Sequence, residues 1–173
     1  IQLTNASSLA GFETALNIVA GRTSLELVGP GVGIDEGLLP ALGWLREYGE
    51  LSPVIEGDFI ARLPGRAAEP LRVLGVDILR DQPFRDYRML EWEHGQAEPT
   101  AQEFLSLLLD AQSAVLTAKF AEARGLRIGS RLSVEAGDRT VPLIVRGLLK
   151  DEGPARVLDG NFVLMDIAAA QQA

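Results

Sequence analysis

The stretch from Arg131 to Leu149, RLSVEAGDRTVPLIVRGLL, does most to restrict what this chain can fold into. Apolar and polar residues alternate through it, and the polar break AGDR divides it in two. Alternation with period two puts Leu132, Val134, Val141, Leu143 and Val145 on one face, as a hairpin with a single buried side requires. Pro53 to Leu63 and Leu71 to Ile78 read as two further extended segments, separated by the polar turn PGRAAEP. Ser113 to Leu116 and Asn161 to Met165 read as short strands, and Thr23 to Val28 alternates as another.

Helical spacing appears between these runs. Leu9, Phe12, Leu16 and Val19 form an amphipathic stripe, with Ser7 or Ser8 as cap, predicting a helix to Ala20. Asp35 can cap a second helix whose buried stripe is Leu38, Leu39, Leu42 and Leu45. Pro40 is tolerated only in a first turn, which moves the expected start toward Gly37. Thr100 and Glu103 have capping-box spacing at the head of a helix reaching Leu109. Ala118 to Arg124 reads as a short helix closed by Gly125, and Asp166 begins a last one. Leu79 to Glu98, rich in charge and aromatics with weak periodicity, is predicted irregular, and no repeat at a fixed period is visible. Strands and helices mix without regular βαβ alternation, which predicts the α+β class.

Composition narrows the function. The chain has 173 residues, enough for one domain or two small lobes, and its 47% hydrophobic content is that of a globular protein. A net charge of −8 argues against nucleic acid as a partner. The absence of cysteine excludes thiol catalysis, disulfides and thiolate metal sites. No apolar run approaches the ~20 residues of a membrane helix. The chain lacks an initiator Met and a basic-then-apolar leader, so it reads as a fragment of something longer.

Three stretches invite a chemical reading. In LELVGPGVGIDEGLLPAL, Gly29 and Gly31 match the first two glycines of a dinucleotide fingerprint, but Ile34 stands where the third belongs. Pro30 removes an N–H that a phosphate would use, and Asp35 and Glu36 place negative charge at the helix N-terminus. A glycine-permitted turn into a self-capped helix is the better reading, with a nucleotide- or phosphate-ligand enzyme domain using GPGVG as the alternative. The second stretch, GVDILRDQPFRDY, gathers Asp77, Asp81 and Asp86 beside Arg80 and Arg85. Its spacing matches no calcium loop, and the arginines compete for the same oxygens, so a corner of ion pairs anchored by Phe84 and Tyr87 is expected. The third is His94, the single histidine, near Glu91 and Glu93. No nucleophile elbow accompanies it, and it reads as a solvated loop residue.

The second half carries an ordered series of short motifs. A strand and short helix lead into Gly125, Leu126 and Gly129; the hairpin ends in Val145, Gly147 and Leu148; a loop holds Asp159; a strand then leads to a helix bearing Ala170 and Gln171. This order resembles the extracytoplasmic core domain of MacB/FtsX-like ABC-transporter permeases. The first half fits as well, through ALNIVAGRTSLELVG, DEGLL, SPVIEG and VLGVDI.

The resemblance implies a mixed-sheet porter-like lobe with an inserted small β-rich, sabre-like lobe. Residues 1–77 would be the first porter half, with Ser7 to Val19 as a stalk, residues 78–166 the inserted lobe, and residues 167–173 the start of the return segment. A porter sheet without its second half would expose an edge. The implied role is to couple cytoplasmic ATP hydrolysis to movement outside the membrane, for export, efflux or mechanotransmission. The implied partners are membrane helices of the same permease chain, a cytoplasmic ABC ATPase acting indirectly, a second permease copy or paralogue, and an extracytoplasmic adaptor or substrate. Catalytic, cofactor-binding and metal residues are expected to be none, and the fragment is expected on the extracytoplasmic or periplasmic side of the cell membrane.

Overall fold

A computed structural model describes residue 23 and residues 25–29, 33–63, 65–81, 83–85, 89–92, 99–152 and 160–173. The alternating runs become seven strands: β1 (Val54–Arg62), β2 (Glu69–Val76), β3 (Met89–Trp92), β4 (Ser113–Thr117), β5 (Arg131–Ala136), β6 (Arg139–Leu149) and β7 (Phe162–Asp166). Among the described residues three α-helices accompany them: α1 (Ala101–Leu109), α2 (Ala118–Arg124) and α3 (Ile167–Gln172). A 3-10 helix, Glu36–Glu47, precedes β1. The predicted segment from Ser7 to Ala20 lies outside the described residues.

The strands form one mixed sheet in the order β3-β6-β4-β7-β2-β1-β5, and β5 returns to pair with β6. Six strands therefore close a barrel, to which β3 adds beside the far end of β6. The exposed porter edge expected from the sequence is thus replaced, within the barrel, by the β5–β6 and β1–β5 pairings. The fold is α+β with a mixed sheet, as expected. The two lobes read from the sequence do not form separate sheets here, because β1 and β2 share this barrel with β4 to β7.

Alternation sorts the side chains by face. Leu71 and Val73 of β2, Ala114 and Leu116 of β4, Leu132 and Val134 of β5, Leu143 and Val145 of β6, and Val163 and Met165 of β7 fill the interior. The other face of four strands supplies a second cluster, Leu74, Val76, Val115, Leu149, Phe162 and Leu164, which Leu107 of α1 covers. The capping box at α1 forms as expected: Thr100 N–H donates to Glu103 Oε2 at 2.7 Å, and Glu103 N–H donates to Thr100 Oγ1 at 3.3 Å.

Helices plug the barrel ends. β4 runs straight into α2, with Thr117 as N-cap, and β7 runs straight into α3, with Asp166 as N-cap. Because β4 and β7 are antiparallel, the two helices sit at opposite ends. Phe120 and Ala121 of α2 join the interior cluster at one end, and Ala169 and Ala170 of α3 at the other. Gly125 terminates α2 in the left-handed region at φ 67°, and Leu126 N–H closes the turn on the Ala121 carbonyl at 2.8 Å.

The barrel is a duplication. The hairpin β1–β2 with β4–α2 corresponds to the hairpin β5–β6 with β7–α3. Under this exchange the parallel pair β2–β7 becomes the parallel pair β6–β4, and β1–β2 becomes β5–β6. The exchange leaves the pairs Ala61–Val134 and Val115–Leu164 in place, marking a pseudo-two-fold axis across the barrel. Its trace in the sequence is PLRVLGV at 70–76 against PLIVRGL at 142–148. The halves have connectors of unequal length, so the correspondence leaves no fixed period in the sequence.

Three local expectations also change. Leu25 to Val28, predicted within a strand, pair with no strand among the described residues and are exposed. Within the segment predicted irregular, Met89–Trp92 is a strand, created by long-range pairing to Gly147–Leu149 across a register shift. The helix after Asp35 is 3-10 rather than α, and no residue of it is fully buried. A repeat of three aligns Leu39, Leu42 and Leu45 and turns Leu38 away from them. Leu42 and Leu45 are half-buried, while Leu38 and Leu39 are exposed.

Phe120 is fully buried at the barrel end. Its truncation, Phe120→Ala, is expected to cost about 3–5 kcal/mol. Urea denaturation checks this; a loss below about 1 kcal/mol would mean that α2 does not plug the barrel.

Candidate functional site

The end of β7, α3 and the 3-10 helix meet at one end of the barrel. Asp166 ends β7 and its carboxylate accepts from Ala168 N–H at 3.0 Å, starting α3 without a linker. Burial and the neighbouring charge of Asp77 push the Asp166 carboxyl above the usual range, against the backbone donors that lower it. Ala169 and Ala170 are buried against the strands. A Cβ on Gly75 of β2 would lie 2.4 Å from the Ala170 Cβ, so glycine here is what lets α3 sit so close. On its exposed side, Gln171 Nε2 donates to Glu36 Oε2 at 2.9 Å. The last helix is thereby tied to the first turn of the 3-10 helix.

That 3-10 helix begins as the sequence indicates, with the Asp35 carboxylate accepting from Gly37 N–H at 2.7 Å. It presents Leu38, Leu39, Trp44 and Tyr48 to solvent. Trp44 and Tyr48 stack edge-on, with centroids 6.0 Å apart and planes at 79°.

The three stretches singled out for chemistry resolve as follows. In the glycine loop, Gly33 has φ 110°, and a Cβ on Gly29 would fall 2.2 Å from the Gly33 carbonyl oxygen. The two backbones pack on each other, and the Asp35 carboxylate already holds a helix N–H that an anion would need. Gly31 lies outside the described residues.

In the carboxylate corner, Asp81 pairs with Arg85 and accepts from Ser52 Oγ at 2.7 Å, with both charged side chains nearly buried. Asp77 pairs with Arg80 at 3.6 Å and its carboxylate accepts from the N–H groups of Leu79 and Arg80. The arginines occupy these oxygens as expected. Asp86, Tyr87, Glu93 and His94 lie outside the described residues. Among the described residues no group of three or more His, Asp or Glu side chains is placed to hold a metal ion.

The sequence reading passed over Gly75 and the tether between Gln171 and Glu36. The repeated Pro-Leu-x-Val-x-Gly pattern carried a signal for Gly75. The tether joins residues 135 positions apart and left none.

No protein-family model matches this sequence, and no curated protein does. The fold itself has counterparts among extracytoplasmic transporter domains. The extracellular domain of the noncanonic ABC-type transporter YknZ from Gram-positive bacteria matches with a TM-score of 0.56 at 15% sequence identity, over 81% of this chain and 66% of that one. The periplasmic region of MacB from Actinobacillus actinomycetemcomitans overlaps less, with a TM-score of 0.45 at 13% identity, over 70% of this chain and 49% of that one. The chain thus spans just under two thirds of the YknZ domain and about half of the MacB region. Among the described residues no helix is long and apolar enough to cross a membrane.

Gly75→Ala is expected to cost about 1–3 kcal/mol by overpacking α3 against β2. Ala170→Gly in the same chain should restore part of that loss, although glycine in a helix is itself unfavourable by about 1 kcal/mol. A double-mutant cycle by thermal unfolding measures the coupling; strict additivity would show that the two residues do not meet.

Proposed function

We propose that this chain is the extracytoplasmic domain of a MacB/FtsX-like ABC-transporter permease, with no enzymatic activity of its own. One observation carries the reading: four fifths of the chain shares its fold with an extracellular domain of an ABC-type transporter. The order of short motifs in the sequence points the same way. In this role the domain joins membrane helices of its own chain, works with a second permease copy or paralogue, and responds indirectly to a cytoplasmic ATPase.

The α3 end is where such coupling would enter. A movement delivered to α3 or to the 3-10 helix reaches β7 and β2 through Asp166 and the Gly75–Ala170 contact, with no flexible linker between. Closed packing then passes the displacement to the barrel as a body. ATP binding and hydrolysis would bias two arrangements of this body relative to the membrane, for export or for signalling. The division into a first lobe at 1–77 and an inserted lobe at 78–166 is a proposal about the intact permease, and the shared barrel favours a boundary before Val54.

These 173 residues contain no cysteine, so with any cysteine elsewhere in the gene product replaced by serine, a single one here reports its side of the membrane cleanly. Asp138 is exposed at the tip of the β5–β6 turn. In the full-length gene product, Asp138→Cys should react with a membrane-impermeant maleimide on intact cells. Labelling only after the cells are opened would place the domain in the cytoplasm and end this reading.

A further inference from the structure

The two ends of the barrel differ in charge. At the α2 end lie five arginines: Arg62 at the end of β1, Arg66 in the β1–β2 turn, Arg124 in α2, Arg127 after it, and Arg131 at the start of β5. The antiparallel pairing of Arg62 with Ser133 brings the β1 and β5 termini side by side. Arg66 Nη1 donates to the Ala123 carbonyl at 3.2 Å, which ties the β1–β2 turn to α2.

Two of these arginines are neutralised locally. Arg62 pairs with Glu135. Arg124 holds Glu69 through two bonds of 2.6 and 2.5 Å, and lies 3.7 Å over the Phe120 ring. The same guanidinium holds the Glu69 carboxyl below the usual range. Arg66, Arg127 and Arg131 are exposed, and none forms an ion pair with a described residue.

Between Arg62 and Arg131 the surface dips into an open depression of roughly 370 Å³, lined also by Leu63, Leu132 and Ser133. Carboxylates share this end: Glu122 lies on α2 beside Ala123, which Arg66 contacts, and Asp151 and Glu152 follow β6. At the opposite end the 3-10 helix carries Glu36, Arg46 and Glu47, Glu50 follows it, and Glu56 lies near the start of β1. In a chain of net charge −8, Arg127 and Arg131, with Arg66 shared only through its charge on Glu69, gather exposed positive charge at one pole, suited to steering and orienting a partner.

We propose that the α2 end of the barrel, on its β1–β5 side, is a docking face for an acidic protein surface, whose carboxylates engage Arg66, Arg127 and Arg131. Guanidinium groups fit carboxylates as planar, bidentate pairs, and the depression beside Arg131 gives such a group room to approach. The choice of protein over anionic lipid rests on the permease reading above. There the α3 end is the one that leads toward the membrane, and this face is at the other end of the barrel.

The test is a titration of the isotope-labelled 173-residue chain with a synthetic deca-glutamate peptide at low salt, followed by backbone amide shifts. The expected shifts gather around Arg66, Arg127 and Arg131 and fade with added salt. The variant R66E/R127E/R131E should bind about tenfold more weakly or worse, the sum of three exposed ion pairs of ordinary strength. Its melting temperature is measured in parallel, and R66Q/R127Q/R131Q serves if the reversal does not fold. Absence of binding by the parent chain overturns the proposal, and so do shifts centred elsewhere or variants that bind as well as the parent. Binding to phosphatidylglycerol vesicles in preference to the peptide overturns it in favour of a lipid face. None of these results depends on which side of the membrane Asp138 lies, so this proposal and the permease reading fail separately.

Discussion

Three residue pairs join the first half of the barrel to the second along β1 and β5: Ile60 with Glu135, Ala61 with Val134, and Arg62 with Ser133. Without them the sheet would be an open ribbon with two edges, and its interior residues would face water on one side. Closure is costly in chain entropy, because partners more than seventy positions apart must be ordered together. The return is an interior in which Ala61 and Val134 are wholly buried and each of the six barrel strands has a neighbour on both sides. The Arg62–Glu135 ion pair spans the same seam, but it is exposed and contributes little by itself. Apolar burial inside the seam does more to hold it.

The duplication explains why closure works. Each half brings a hairpin, a strand and a plugging helix, and the pseudo-two-fold axis at Ala61–Val134 lets the halves meet through like surfaces. The copies then diverge in ways that give the ends different properties. At the α2 end a large ring, Phe120, fills the opening beneath Arg124. At the α3 end alanines fill it, and Gly75 lets the helix approach the strand. At one end the last helix is tied to the 3-10 helix through Gln171 and Glu36, and at the other Arg66, Arg127 and Arg131 are exposed.

Much of the local structure was legible in the sequence because its signals are local. The Thr100–Glu103 capping box, the caps at Asp35 and Asp166, Gly125 at the end of α2 and the β5–β6 hairpin all follow from neighbours a few positions apart. What escaped is set by distant partners. Met89–Trp92 becomes a strand only because Gly147–Leu149 is there to receive it. The helix after Asp35 lacks its α form in a stretch where Pro40 removes a hydrogen-bond donor. At the described end of the glycine loop, the cap expected at Asp35 occupies the position an anion would claim. The ion pairs of Asp77 and Asp81 were readable from the adjacent arginines, whereas the Ser52 bond to Asp81 was not.

Barrel closure underlies both the proposed transmission of force and the separation of the two ends, and amide hydrogen exchange tests it most directly. If β5 seals the barrel, the amides of Ile60 to Arg62 and of β5 should exchange as slowly as those of β2 and β7, and all should share one opening free energy. Fast exchange confined to β5 and the end of β1, with β2 and β7 still protected, would show an open sheet. The domain would then have a loose flank where the present account requires a sealed wall.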